Sequence, residues 1–136
     1  MRRYVWIFML AFMVTCFVGC EEKNTSVSTE SQNSYIQIQM DEAITMMEEE
    51  TDYIILDVRT PEEFAEKHIP GALNVPNESI GTEEIKELPN KDQLILVYCR
   101  SGNRSKQASE KLVALGYTNV YEFGGINDWP GEVESE

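Results

Sequence analysis

Cysteine and histidine are nearly absent from this sequence. Three cysteines (Cys16, Cys20 and Cys99) and a single histidine, His68, occur among 136 residues. Two of the cysteines sit near the amino terminus, so beyond Cys20 the only thiol is Cys99, and no intramolecular disulfide framework can form there. The same scarcity excludes a cysteine-based zinc site and any dense cluster of imidazole ligands. Basic residues are also few: 11 Lys and Arg stand against 24 Asp and Glu, a formal net charge of −13. So acidic a chain argues against nucleic acid as a partner and against electrostatic adhesion to anionic lipid. No internal repeat is visible. No apolar run reaches the roughly 20 residues that a membrane-spanning helix needs.

The longest apolar run is Tyr4 to Val18, placed directly after the basic "MRR". A basic start followed by a short apolar stretch is the pattern of an export signal. "FVGC", residues 17–20, resembles the lipobox of bacterial lipoproteins, in which a cysteine after small residues is lipidated and becomes the mature amino terminus. This implies a signal peptide over 1–19, lipidation of Cys20 and an extracytoplasmic domain anchored to a membrane through that lipid. An uncleaved signal anchor would give the same location. "EEKNTSVSTESQNS", 21–34, is polar and serine-rich and cannot bury enough surface to offset its chain entropy. It is expected to be a flexible tether, so that 20–34 links the anchor to a folded domain over 35–136.

Within that domain, "YIQI" (35–38) predicts a short strand, and Met40, Ala43, Ile44 and Met47 recur at helical spacing over about 40–50. "YIILDV" (53–58) and "QLILVY" (93–98) are continuous apolar runs, as expected of strands buried on both faces. Thr60, Pro61 and Glu63 have the spacing of a capping-box helix start. "ALNV" (72–75) predicts an edge strand, and a helix is expected around 82–88, stopped by Pro89. A helix over about 104–115 ends at Gly116, and "NVYEF" (119–123) supplies a last strand. Strands alternating with helices imply an α/β domain: an open, mainly parallel sheet flanked by helices on both faces.

"CRSGNRS", 99–105, is the stretch with chemistry in it. Cys99 falls at the carboxyl end of a buried strand, where open α/β sheets place their ligands. Gly102 allows positive φ, so successive N–H groups can turn inward as an anion-binding nest. Those N–H groups, the dipole of the following helix, Arg100 and Arg104 should all favour a thiolate and lower the pKa of Cys99. The same cradle would hold an anionic substrate against the sulfur. A buried structural cysteine is the alternative, but the flanking arginines and glycine disfavour an apolar burial site.

Taken together, "LDVRTPEEFAEKHIPGALNVP", "VYCRSGNRS" and "GGINDW" resemble a single-domain rhodanese sulfurtransferase over about 35–129. The resemblance implies that Cys99 takes a sulfane sulfur from a small anionic donor such as thiosulfate. The resulting persulfide would pass it to cyanide or to a thiol, including one on a partner protein. It implies donor binding by Arg100, Ser101, Gly102, Asn103, Arg104 and Ser105, and needs neither metal nor organic cofactor. Asp57 and Arg59, on "LDVR", would hold the loop and its charges from behind, and His68 would pack in the "HIPGA" turn rather than act as a base. Phe123 and Trp129 are most simply core or pocket wall. A thiol phosphatase loop would place five residues between cysteine and arginine, but Arg104 already stands at the fifth position after Cys99. A rhodanese module that only binds or relays sulfur to a partner at the cell surface is the other reading.

Overall fold

The computed structural model describes residues 33–136. The expected signal segment (1–19), the lipidation site Cys20 and the tether as far as residue 32 lie outside the described residues. The chain runs through β1 (Ile36–Gln37), α1 (Met40–Glu49), β2 (Tyr53–Asp57), α2 (Pro61–Glu66), β3 (Leu73–Asn74), β4 (Leu94–Cys99), α3 (Asn103–Ala114) and β5 (Val120–Gly125). Single turns of 3-10 helix occur at Asn77–Ser79 and Ile126–Asp128. The strands form one sheet in the order β1-β5-β4-β2-β3, and every pairing within it is parallel. Parallel neighbours need crossover connections, which the helices provide.

β4 lies between β2 and β5, and its side chains alternate between two apolar layers. Ile95, Val97 and Cys99 face Ala108 and Leu112 of α3, whereas Leu96 and Tyr98 face Ala43 and the methionines of α1. That double burial is why the sequence shows continuous apolar runs here. Each fully buried aliphatic side chain in these strands contributes about 1.5–3 kcal/mol. α2 starts as its sequence predicts. The Glu63 N–H donates to Thr60 Oγ1 at 3.3 Å, and the Thr60 N–H donates to Glu63 Oε2 at 3.1 Å.

Two expectations need correction. No helix forms over 82–88, which is a run of bends and turns. Ile85 and Leu88 are its buried residues, and one turn, with the Leu88 N–H on the Ile85 carbonyl at 3.0 Å, already places both. Pro89 then disfavours helical geometry at Leu88. The last strand also does not stop at Phe123 but continues to Gly125. Val97 pairs with Glu122 and Cys99 with Gly125, so β5 carries one extra residue opposite β4. Such a bulge re-aims the strand beside the end of its neighbour.

Candidate active site

Cys99 is the last residue of β4, 1% exposed, and α3 begins only four residues later. The chain must therefore reverse within three residues. Gly102 makes this possible with φ 107° and ψ −12°, a left-handed conformation that serves as the N-cap of α3. The turn folds the loop over the sulfur, and the Gly102 N–H donates to Sγ at 3.0 Å. Burial pushes the thiol up, but its hydrogen bond with the Ser105 side chain and those from the N–H groups of Ser105, Gly102 and Ser101 outweigh it. The pKa of Cys99 is accordingly below that of an ordinary thiol. A second glycine supports the loop from beneath. A Cβ at Gly125 would stand 2.1 Å from the Arg100 carbonyl oxygen, so no side chain fits there.

The two arginines of the loop are in different situations. Arg100 is exposed and makes no ion pair among the described residues. Arg104 is committed: Nη1 and Nη2 donate to the two carboxylate oxygens of Glu63 at 2.6 and 2.9 Å. A forked pair of this kind is among the stronger charge-assisted contacts, and it holds the Glu63 carboxyl down at about 2. It ties the start of α3 to the start of α2. Ser101 and Asn103 are exposed, the latter as the first residue of α3.

Ser105 is fully buried beneath the sulfur. The Cys99 thiol donates to its Oγ at 3.5 Å, and the hydroxyl lies 2.6 Å from Oε1 of Glu122 and 2.9 Å from the Gly102 carbonyl. Glu122, in β5, is 1% exposed; the Gly124 N–H also donates to Oε1 at 2.9 Å, and Gln37 Nε2 donates to Oε2 at 3.2 Å.

Asp57 and Arg59 lie on the other face of the sheet. Arg59 donates to Asp57 through Nε at 3.0 and 3.1 Å, through Nη2 at 2.6 Å and through its backbone N–H at 2.9 Å. Tyr98 adds its hydroxyl to Asp57 Oδ2 at 2.6 Å, and Arg59 Nη2 also donates to the Lys67 carbonyl at 2.7 Å. Burial, with the bond to Asp57, raises the Tyr98 pKa well above the ordinary phenol value. The network joins β2, β4 and the end of α2, and makes no hydrogen bond to 99–105 among the described residues. Asp57 is thus paired with Arg59, not with Arg104. His68 stacks on Phe64 at a centroid distance of 3.8 Å, and its ring nitrogens face the Phe64 carbonyl at 2.8 Å and Glu134 at 3.1 Å.

Sequence reasoning passed over Glu122, Glu63 as the partner of Arg104, and Tyr98. The only signal for Glu122 was an acid inside an otherwise apolar strand, between Tyr121 and Phe123.

Comparison with known proteins adds a family to this geometry. Residues 39–132 match the model of the rhodanese-like domain. Thiosulfate sulfurtransferase PspE of Escherichia coli is 38% identical over 73 residues, covering 54% of this chain and 70% of that protein. A sulfurtransferase of Allochromatium vinosum is 43% identical over 79 residues, covering 57% of this chain and 72% of that protein. Among solved structures, a rhodanese with anions from E. coli superposes with a TM-score of 0.56 at 35% identity, covering 62% of this chain and 99% of that one. Other curated relatives are far longer: the chain spans 22% of an adenylyltransferase and sulfurtransferase of Meyerozyma guilliermondii.

Proposed function

The chain belongs to the rhodanese-like domain family, and from that premise we propose that it is a sulfurtransferase working through a persulfide on Cys99. The observation that carries the reading is the buried Cys99 sulfur under the inward-turned N–H groups of 101, 102 and 105, at the carboxyl edge of the sheet. The Cys99 thiolate attacks the outer sulfur of a donor such as thiosulfate; a new S–S bond forms, the donor's S–S bond breaks, and sulfite leaves with the electron pair. The persulfide carries its negative charge under the same N–H groups, which stabilise it as an oxyanion hole stabilises an intermediate. A thiolate or cyanide then takes the outer sulfur and returns Cys99 to thiolate. The names of the shorter relatives, thiosulfate sulfurtransferase and sulfurtransferase, support this class of reaction.

Its exposure, and the lack of an ion pair among the described residues, support Arg100 as the side chain that meets the anionic donor. Arg104 contributes positive charge near the sulfur while its fork holds Glu63. The same proposal sets the domain outside the cytoplasm, anchored through Cys20, on the strength of residues 1–34 of the sequence alone.

Thiosulfate:cyanide sulfurtransferase kinetics test the reading. A charge-assisted hydrogen bond is worth about 1.5–3 kcal/mol, so Arg100→Ala should lower kcat/KM roughly ten- to a hundredfold. Arg100→Lys should recover only part of the loss, because an ammonium lacks the planar fork. Wild-type kcat/KM in Arg100→Ala would remove Arg100 from the donor site. No turnover by the wild type with any sulfane donor would favour a module that only binds a partner.

A further inference from the structure

Glu122 is a carboxylate buried in β5, and no ion pair reaches it among the described residues. A buried carboxylate without a counter-ion is costly unless its oxygens are hydrogen-bonded. The closest of its donors is the Ser105 hydroxyl at 2.6 Å, which is also the acceptor for the Cys99 thiol at 3.5 Å. A hydroxyl has a single hydrogen to give. While Glu122 is ionised that hydrogen is held at Oε1, and Ser105 accepts from the Cys99 thiol. A thiolate needs the opposite arrangement, with the hydrogen of Ser105 turned to sulfur.

The geometry points to a proton shared between Cys99 and Glu122, with Glu122 a positioning residue that acts through Ser105. When the thiolate forms, the S–H bond of Cys99 breaks as an O–H bond forms at Ser105. The original O–H bond of Ser105 breaks as one forms at Glu122 Oε1. Cys99 becomes the anion, Glu122 the neutral acid, and the net charge is unchanged. A nucleophile closed off from water is thereby reached without adding a buried charge.

Glu122 also lines a cavity of about 330 Å³ with Gln37, Lys106 and Asp128. Of the charged and titratable groups around the pair, Tyr35 faces Glu122 from before β1, while Lys106 and Asp128 line the cavity from α3 and the turn after β5. Arg104 faces Cys99 from α3. Lys106 and Asp128 oppose each other in sign. The inference rests on Cys99 being the reactive thiol of the proposed function.

The test is the pH dependence of Cys99 alkylation by iodoacetamide, a neutral reagent, on the full chain. Two groups sharing a proton titrate in two macroscopic steps, so the wild-type rate should rise in two. Glu122→Gln should show one step, about one to two pH units below the upper wild-type step, because the like charge next to the thiolate is gone. A Glu122→Gln profile that superimposes on wild type overturns the inference. Should that variant not fold, the carboxyl carbon-13 shift of Glu122 reads the same coupling from the other side. It should titrate in two steps in the wild type and in one in Cys99→Ser, and identical titrations in the two would overturn it. Neither readout requires sulfur turnover. Coupled titration in a chain that transfers no sulfur would therefore sink the sulfurtransferase reading alone, and uncoupled titration in an active chain would sink only the shared proton.

Discussion

Tyr98 and Cys99 are neighbours at the end of one strand, yet they open onto opposite faces of the sheet and into opposite kinds of polar environment. The Tyr98 hydroxyl enters a closed network in which Asp57 is neutralised by Arg59 and the hydroxyl also accepts from the Ile69 N–H at 3.1 Å. Cys99 enters a cradle with donors but, among the described residues, no direct cation contact, next to a buried acid that lacks one there as well. The first arrangement cancels charge and locks β2, β4 and the end of α2 together. The second leaves charge to be settled by a proton or an incoming anion. On the proposed function, burial of polar groups thus marks structure on one face and reactivity on the other, and what separates the two is whether a counter-charge is present among the described residues.

The largest expected effect breaks the closed face. Asp57→Ala leaves the Arg59 guanidinium buried and unpaired, which costs about 3–5 kcal/mol. Urea unfolding should show that loss, while the pH dependence of Cys99 alkylation in the folded variant stays that of the wild type. A matching change in the thiol titration would erase the distinction between the two faces.

A smaller effect sharpens the comparison at the edge of the reactive face. Glu63→Gln removes the acid of the Arg104 fork and should cost about 1 kcal/mol at neutral pH, since the pair is partly exposed. The sign with pH is definite. The carboxyl of Glu63 lies at about 2 in the folded chain against 4.5 ordinarily, so its stabilisation is complete above 4.5 and is lost as the pH falls toward 2. Unfolding midpoints measured through that window should fall less steeply for Glu63→Gln than for the wild type. Parallel acid limbs would show that the fork adds no stability.

Much of this architecture is legible in the sequence because it rests on local signals. The doubly buried strands show as unbroken apolar runs, α1 as a three-and-four spacing, and α2 as a capping box within four residues. The positive φ of Gly102 follows from the tight reversal between Cys99 and α3. What escaped depends on contacts distant in sequence. Ser105 meets Glu122 only because α3 packs beside the bulged end of β5, and Arg104 finds Glu63 across 41 residues. Asp57 was expected to reach the loop, but strand alternation turns it to the face away from Cys99. The expected helix at 82–88 fails for the converse reason, since one turn suffices to bury its two apolar residues.

The central claim is that Cys99 itself carries the transferred sulfur, and intact-mass analysis of the purified chain after incubation with thiosulfate tests it most directly. The account predicts a gain of one sulfur atom in the wild type, reversed by cyanide and absent in Cys99→Ser. A gain that survives in Cys99→Ser, or a wild type that gains nothing from any sulfane donor, would contradict it.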